Sequence, residues 1–347
     1  MKKSVTLISI AAAVAVFGIG LAVFDHQSNK KTTSKPTTVK VSKDALLKFK
    51  QQTTDDAIVA TTKSISQLSK DDLNNFIPTE AMKVKGNQIT DPGSDANFVT
   101  KINYQPSDNP KNVIRVPKEY TIKRLKTAAS EKAIGNYKLQ VQLGKIGLNG
   151  LAMNSFTPSK LDLSRNVDLN HMSYADRKEL TKFGLDLINS VITQTGGIQY
   201  KASKNSIEAA QAYADVYSKD NWNNTHHKTG HNPNARKVVA KQFNISDVAE
   251  ENYSDNPSFA LTDPKLKKRV VSMAALKHAI YNSMALQLFE DGPSYWGHAT
   301  ALMNLDIHKQ YQPNYFGVSF DKFGGIHFFM VPHNAKVNPK FVTGDLI

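Results

Sequence analysis

The chain of 347 residues contains no cysteine. That excludes disulfides, thiolate metal sites, a cysteine nucleophile and a lipid-modified N-terminal cysteine. It also has no Gly-x-Ser-x-Gly elbow, no His-Glu-x-x-His helix, no phosphate-binding loop and no Rossmann glycine pattern. These absences weigh against the familiar serine-hydrolase, zinc-protease and nucleotide-binding designs. No internal repeat is visible, and no run of basic residues alternates with aromatics. The surplus of 44 Lys and Arg over 30 Asp and Glu, a net charge of +14, is scattered. Such a surface speaks against nucleic acid and suits contact with anionic polymers such as an acidic cell envelope.

A hydrophobic share of 40% is enough for a sizeable core, and the length suggests two units. Lys2 and Lys3 precede residues 5–24, which carry no charge. As a helix this run matches the thickness of a bilayer core, with the lysines kept inside. We read residues 1–24 as a single-pass anchor, with a cleaved export signal as the alternative. Either way the rest lies on the extracellular side. Residues 25–40 are rich in Thr, Ser and Lys and read as a flexible tether. Residues 41–111 form a small N-terminal region, loosely helical at first, then loop-like around Gly86, Pro92, Gly93, Pro106 and Pro110. Residues 112–347 form the main domain.

Within that domain Ser173 and Asp176 mark a helix start, followed by Leu180, Phe183, Leu187 and Val191 at helical spacing. Gly196 and Gly197 end it. Residues 198–200 are a short strand candidate. Ser206 is predicted to cap a second helix with a face of Ala209, Ala210, Tyr213, Ala214 and Tyr217. Residues 221–234 read as a loop. Asp263-Pro264 reads as the start of a helical stretch ending near Phe289. Residues 315–320 and 326–331 then alternate with period two around Gly324 and Gly325, a β-hairpin. Helices followed by strands give an α+β class.

Eight of the ten histidines lie within residues 226–347. His226, His227 and His231 share a Gly- and Asn-rich loop, and His298 begins a short helix just after Glu290 and Asp291. Two histidines with two carboxylates would allow a divalent metal, zinc or magnesium, or a proton relay. His327 alternates with Ile326 and Phe328, so it faces the other side of its strand and would pack beneath a helix.

Taken in order, Val167-Asp168-Leu169-Asn170, Asp176-Arg177-Lys178-Glu179-Leu180, His231-Asn232, Glu251-Asn252, Leu288-Phe289-Glu290-Asp291, Gly297-His298-Ala299, Phe316-Gly317-Val318-Ser319 and His327-Phe328-Phe329 resemble the CAP (SCP) superfamily. More narrowly they are similar to its surface-exclusion branch on Gram-positive cells, and Ile114-Arg115-Val116-Pro117-Lys118-Glu119-Tyr120 resembles that branch too. The resemblance spans about residues 112–332. It implies a three-layer α-β-α sandwich whose open cavity is lined by two histidines and two acids. Carried over, these are His231, Glu251, Asp291 and His298, with His226 or His227 the alternatives to His231 and Glu290 the alternative to Asp291. The branch usually places Asp where this chain has Asn232. Such proteins modulate contact between cells, which implies an envelope polymer or another cell-surface protein as partner. The competing function is a metal-assisted hydrolase of peptide or wall polymer, with a cavity acid as base.

Overall fold

Three strands, β6 (Glu250–Ser254), β8 (Pro313–Phe320) and β9 (Ile326–Pro332), form an antiparallel sheet in the order β6-β9-β8. They belong to a computed structural model that describes residues 40–53, 58–59, 98–99, 101–130, 137–223, 230–245, 250–254, 269–292, 294–305 and 313–332. The anchor at 1–24 and nearly all of the tether at 25–40 lie outside the described residues, as do His226, His227 and the Asp263-Pro264 start. Among the described residues no helix is long and apolar enough to cross a membrane.

The period-two pattern of the hairpin is apolar on both faces because both faces are covered. Tyr315, Phe329 and Val331 join Ala209, Ala210, Tyr213 and Tyr217 of α6 (Lys204–Asp220), on which α7 (Pro233–Phe243) packs. Phe316, Val318, Phe328 and Met330 join the larger core with α5 (Tyr174–Thr195) and α8 (Met273–Phe289). The result is helix, sheet, helix, the α+β three-layer arrangement that was expected. Gly317 lets α6 lie directly on β8: a Cβ there would sit 2.2 Å from the Ser206 carbonyl oxygen.

Local signals explain most boundaries. Ser173 caps α5 and accepts from the Asp176 amide, and Gly196 closes the helix with φ of 85°. The second helix starts three residues earlier than expected. Ser203 is its N-cap, and Ser206 is the reciprocal partner in a capping box. Residues 198–200 form no strand. The Asn189 side chain instead clamps both backbone groups of Tyr200, and only Lys201 makes an isolated bridge to Tyr315. Ser272 caps α8, which ends at Phe289 as predicted.

Packing contacts link described residues on either side of 111/112. Every described residue belongs to the unit Val39–Ile347. In α1 (Lys43–Thr53), Phe49 is fully buried in the main core beside Tyr104, Phe156 and His278. Strand β3 (Lys101–Ile102) pairs in parallel with β4 (Ser155–Phe156), which ties residues 101–102 to the main domain as well.

Candidate functional site: two imidazoles backed by buried carboxylates

Glu251 sits in the middle of β6, opposite Phe329, so it faces α6. Its side chain is 4% exposed and both oxygens are engaged. Oε1 accepts from His327 Nδ1 at 2.5 Å, while Oε2 accepts from the Tyr217 hydroxyl at 3.0 Å and from His231 Nδ1 at 3.2 Å. A carboxylate oxygen accepts and an imidazole N–H donates, so Nδ1 of His231 carries the proton. The His231 side chain is 54% exposed, and its outer edge meets solvent.

Behind Glu251 the network continues inward. His327 is fully buried, faces away from Ile326 and Phe328 as expected, and lies under Tyr217 and Tyr253, with ring centroids 4.5 and 5.1 Å away. It does more than pack under a helix. Its Nε2 lies 3.3 Å from Asp321 Oδ2, while Asp321 Oδ1 accepts from the amides of Phe323 and Gly325 in the hairpin turn. Burial alone would push the His327 imidazole down, but hydrogen bonds to Asp321 and Glu251 outweigh it and raise the group to about 9. Burial would likewise raise Glu251, yet the bonds from His231 and His327 hold it below the usual carboxylate range.

The second pair lies at the α8–α9 turn. His298, in α9 (Gly297–Leu302), donates from Nδ1 to Asp291 Oδ1 at 2.6 Å, and Asp291 Oδ2 accepts from the Ala299 amide at 2.9 Å. Side-chain exposure is 36% for His298 and 3% for Asp291, the same pattern of an open ring on a buried acid. The turn between them is strained: Tyr295 and Trp296 have φ of 50° and 64°, a left-handed conformation that non-glycine residues seldom adopt. Trp296 is fully buried and packs on Tyr120, whose ring also meets Phe289 and whose hydroxyl donates to the Leu288 carbonyl. The upstream motif ending in Tyr120 therefore buttresses this turn.

The choice between neighbouring acids is settled by geometry. Asp291, not Glu290, holds His298. Burial, then the proximity of Asp291, pushes the Glu290 carboxyl well above the ordinary range, and its Oε1 is buried with no hydrogen-bond partner among the described residues.

Asn252 joins the two pairs. Its amide donates to the His298 carbonyl oxygen at 2.9 Å and to Gln287 Oε1 at 3.1 Å. Because strand residues alternate, Asn252 points to α8 and α9 while Glu251 points to α6. The expected set of four side chains is thus organised as two dyads, His231 on Glu251 and His298 on Asp291, linked through Asn252, the neighbour of Glu251 in β6, which holds the His298 backbone. Among the described residues no group of three or more His, Cys, Asp or Glu is arranged to hold a metal ion. Where the resemblance expected Asp, Asn232 caps α7: its Oδ1 accepts from the Asn234 amide, its Nδ2 donates to Asp220, and its own amide donates to the Tyr217 hydroxyl.

No family model matches this chain, and no curated protein matches it. Among solved structures it is similar to the CAP domain of Enterococcal PrgA, with 20% sequence identity and a TM-score of 0.48, over 67% of this chain and 90% of that one.

Proposed function

We propose that this chain is a CAP-like recognition module displayed on the extracellular side of the cell membrane, held there by residues 5–24 and their tether. It engages an envelope polymer or another surface protein through the region presenting His231 and His298, in a role of surface exclusion or adhesion. One observation carries the reading. Two part-exposed imidazoles are each gripped from behind through Nδ1 by a carboxylate that is almost wholly buried. Burying a carboxylate is costly, and a surface histidine needs no such anchor to be soluble. The arrangement orients two rings for recognition. The scattered positive charge adds long-range attraction to an acidic envelope.

Titrating the isotope-labelled protein with soluble envelope fragments tests this by NMR. The expected result is that the ring signals of His231 and His298 shift together, with saturation that weakens as salt rises. Shifts confined to remote lysines would overturn the reading. A hydrolase would instead release labelled product from wall polymer or casein and lose that activity in Glu251→Ala. Zinc or magnesium calorimetry, repeated on His298→Ala, reads out the metal-assisted version.

A further inference from the structure

We infer that His327, braced by Asp321, is a positioning residue of this site: it locks Glu251 and, through Glu251, holds His231 with Nδ1–H turned inward and Nε2 presented as an acceptor. The inference rests on the proposed recognition role for His231, but its physical content concerns the unliganded protein.

The geometry forms one continuous chain. The amides of Phe323 and Gly325 fix Asp321 Oδ1, Asp321 Oδ2 meets His327 Nε2, His327 Nδ1 meets Glu251 Oε1, and Glu251 Oε2 meets His231 Nδ1. His327 has a carboxylate oxygen at each ring nitrogen, so both nitrogens donate and the ring is a buried cation. The titratable groups around it are Glu251 and Tyr253 from β6, Tyr217 from α6 and Asp321 from the turn. Two of these are acids, and the raised imidazole value agrees with their combined pull. Asp321 and His327 are fully buried, so neither touches a ligand directly. The turn is built around them: a Cβ on Gly325 would lie 2.5 Å from Asp321 Oδ2 and 2.7 Å from the Tyr253 ring.

The consequence is chemical. With Glu251 held as an acceptor, Nδ1 of His231 must donate inward. The neutral ring then offers a lone pair on Nε2, which takes a hydroxyl or amide N–H of the ligand. Without the His327 cation, the buried Glu251 carboxyl takes up a proton and donates to His231 Nδ1, which flips the tautomer and turns Nε2 into a donor.

Long-range proton–nitrogen NMR on the full chain reads the tautomer of each histidine directly. In the unmodified protein at pH 7, His327 should show two protonated nitrogens, and the neutral form of His231 should show Nδ1–H. In His327→Gln the Nδ1–H fraction of His231 should fall about two-fold or more. Asp321→Asn should give a smaller change in the same direction, with His327 less fully protonated. If His327→Gln does not fold, Asp321→Asn and the unmodified chain decide the matter. A neutral His327 at pH 7, or a His231 tautomer unchanged in the folded variants, overturns the inference. Because no ligand is needed, this outcome is separate from whether the envelope fragments bind.

Discussion

Glu251 is the residue on which the most structure converges, since one carboxylate satisfies His327, Tyr217 and His231 at once. Removing one member of a buried ion group leaves the others uncompensated, which costs about 3–5 kcal/mol. Glu251→Ala should therefore lower unfolding stability by about 4 kcal/mol in urea titration, whereas His231→Ala should change it by less than about 1 kcal/mol, because the ring is more than half exposed. Equal losses in the two variants would mean that the burial gradient from His327 outward is wrong. The sequence placed His327 on the correct strand face, by simple alternation. It could not reveal the network, because Glu251 is 76 residues away on another strand and the hairpin pattern that brings Asp321 near does not say where its side chain points. A similar blind spot covers His278. It lies fully buried against Phe49 and Phe156, with both ring nitrogens lacking hydrogen-bond partners among the described residues, and burial lowers it to about 4.

At the scale of elements, close approach explains the glycines that matter. Gly317→Ala would drive a methyl group into the Ser206 carbonyl and should cost about 3 kcal/mol or more by thermal or urea unfolding, through separation of α6 from β8. Gly196→Ala meets no neighbour and strains only the left-handed cap, so about 1 kcal/mol is expected. A reversed order would contradict the packing of α6 on the sheet. The hairpin and α5 were legible because their patterns are clean: period two with a glycine turn, and a capped apolar stripe ended by Gly196. Strand β6 was not, since Glu-Glu-Asn-Tyr-Ser has no apolar alternation; Glu251 and Asn252 there serve the two dyads instead of a greasy core. Helix α7 carried a readable start, Asn232-Pro233, but the surrounding Asn, His and Gly residues masked it. Helix α1 looked like a separate region because its pattern is loose, yet Phe49 plugs the main core. Phe49→Ala should cost about 3–5 kcal/mol in a single cooperative transition; a separate early transition would mean that α1 folds apart from the rest.

For the whole molecule, two buried histidines of opposite behaviour give stability a maximum in pH. His327 has a folded value of about 9 against an ordinary 6.5, so its contribution is fully present below about 6.5 and is lost as pH rises through 9. His278 has a folded value of about 4, so its proton favours the unfolded chain and stability is lost as pH falls from 6.5 toward 4. Urea midpoints measured across this range should form a dome, with His278→Leu flattening the acid limb and His327→Gln the alkaline limb. A curve without the alkaline fall would contradict the His327 assignment, and one without the acid fall the His278 assignment. The layered α-β-α architecture follows from the same sheet that carries the site, with edge strand β6 sending Glu251 to one helical layer and Asn252 to the other.

The most direct measurement is the affinity of the purified protein for isolated cell envelopes, compared with a variant carrying both His231→Ala and His298→Ala. Each substitution removes one partner of a buried carboxylate, but Glu251 keeps His327 and Tyr217 and Asp291 keeps the Ala299 amide, so the fold should persist, and about a tenfold or greater loss of binding is expected, equivalent to roughly 1.4 kcal/mol. Retention of full affinity by a folded double variant would mean that the two gripped imidazoles are not where this protein meets its partner.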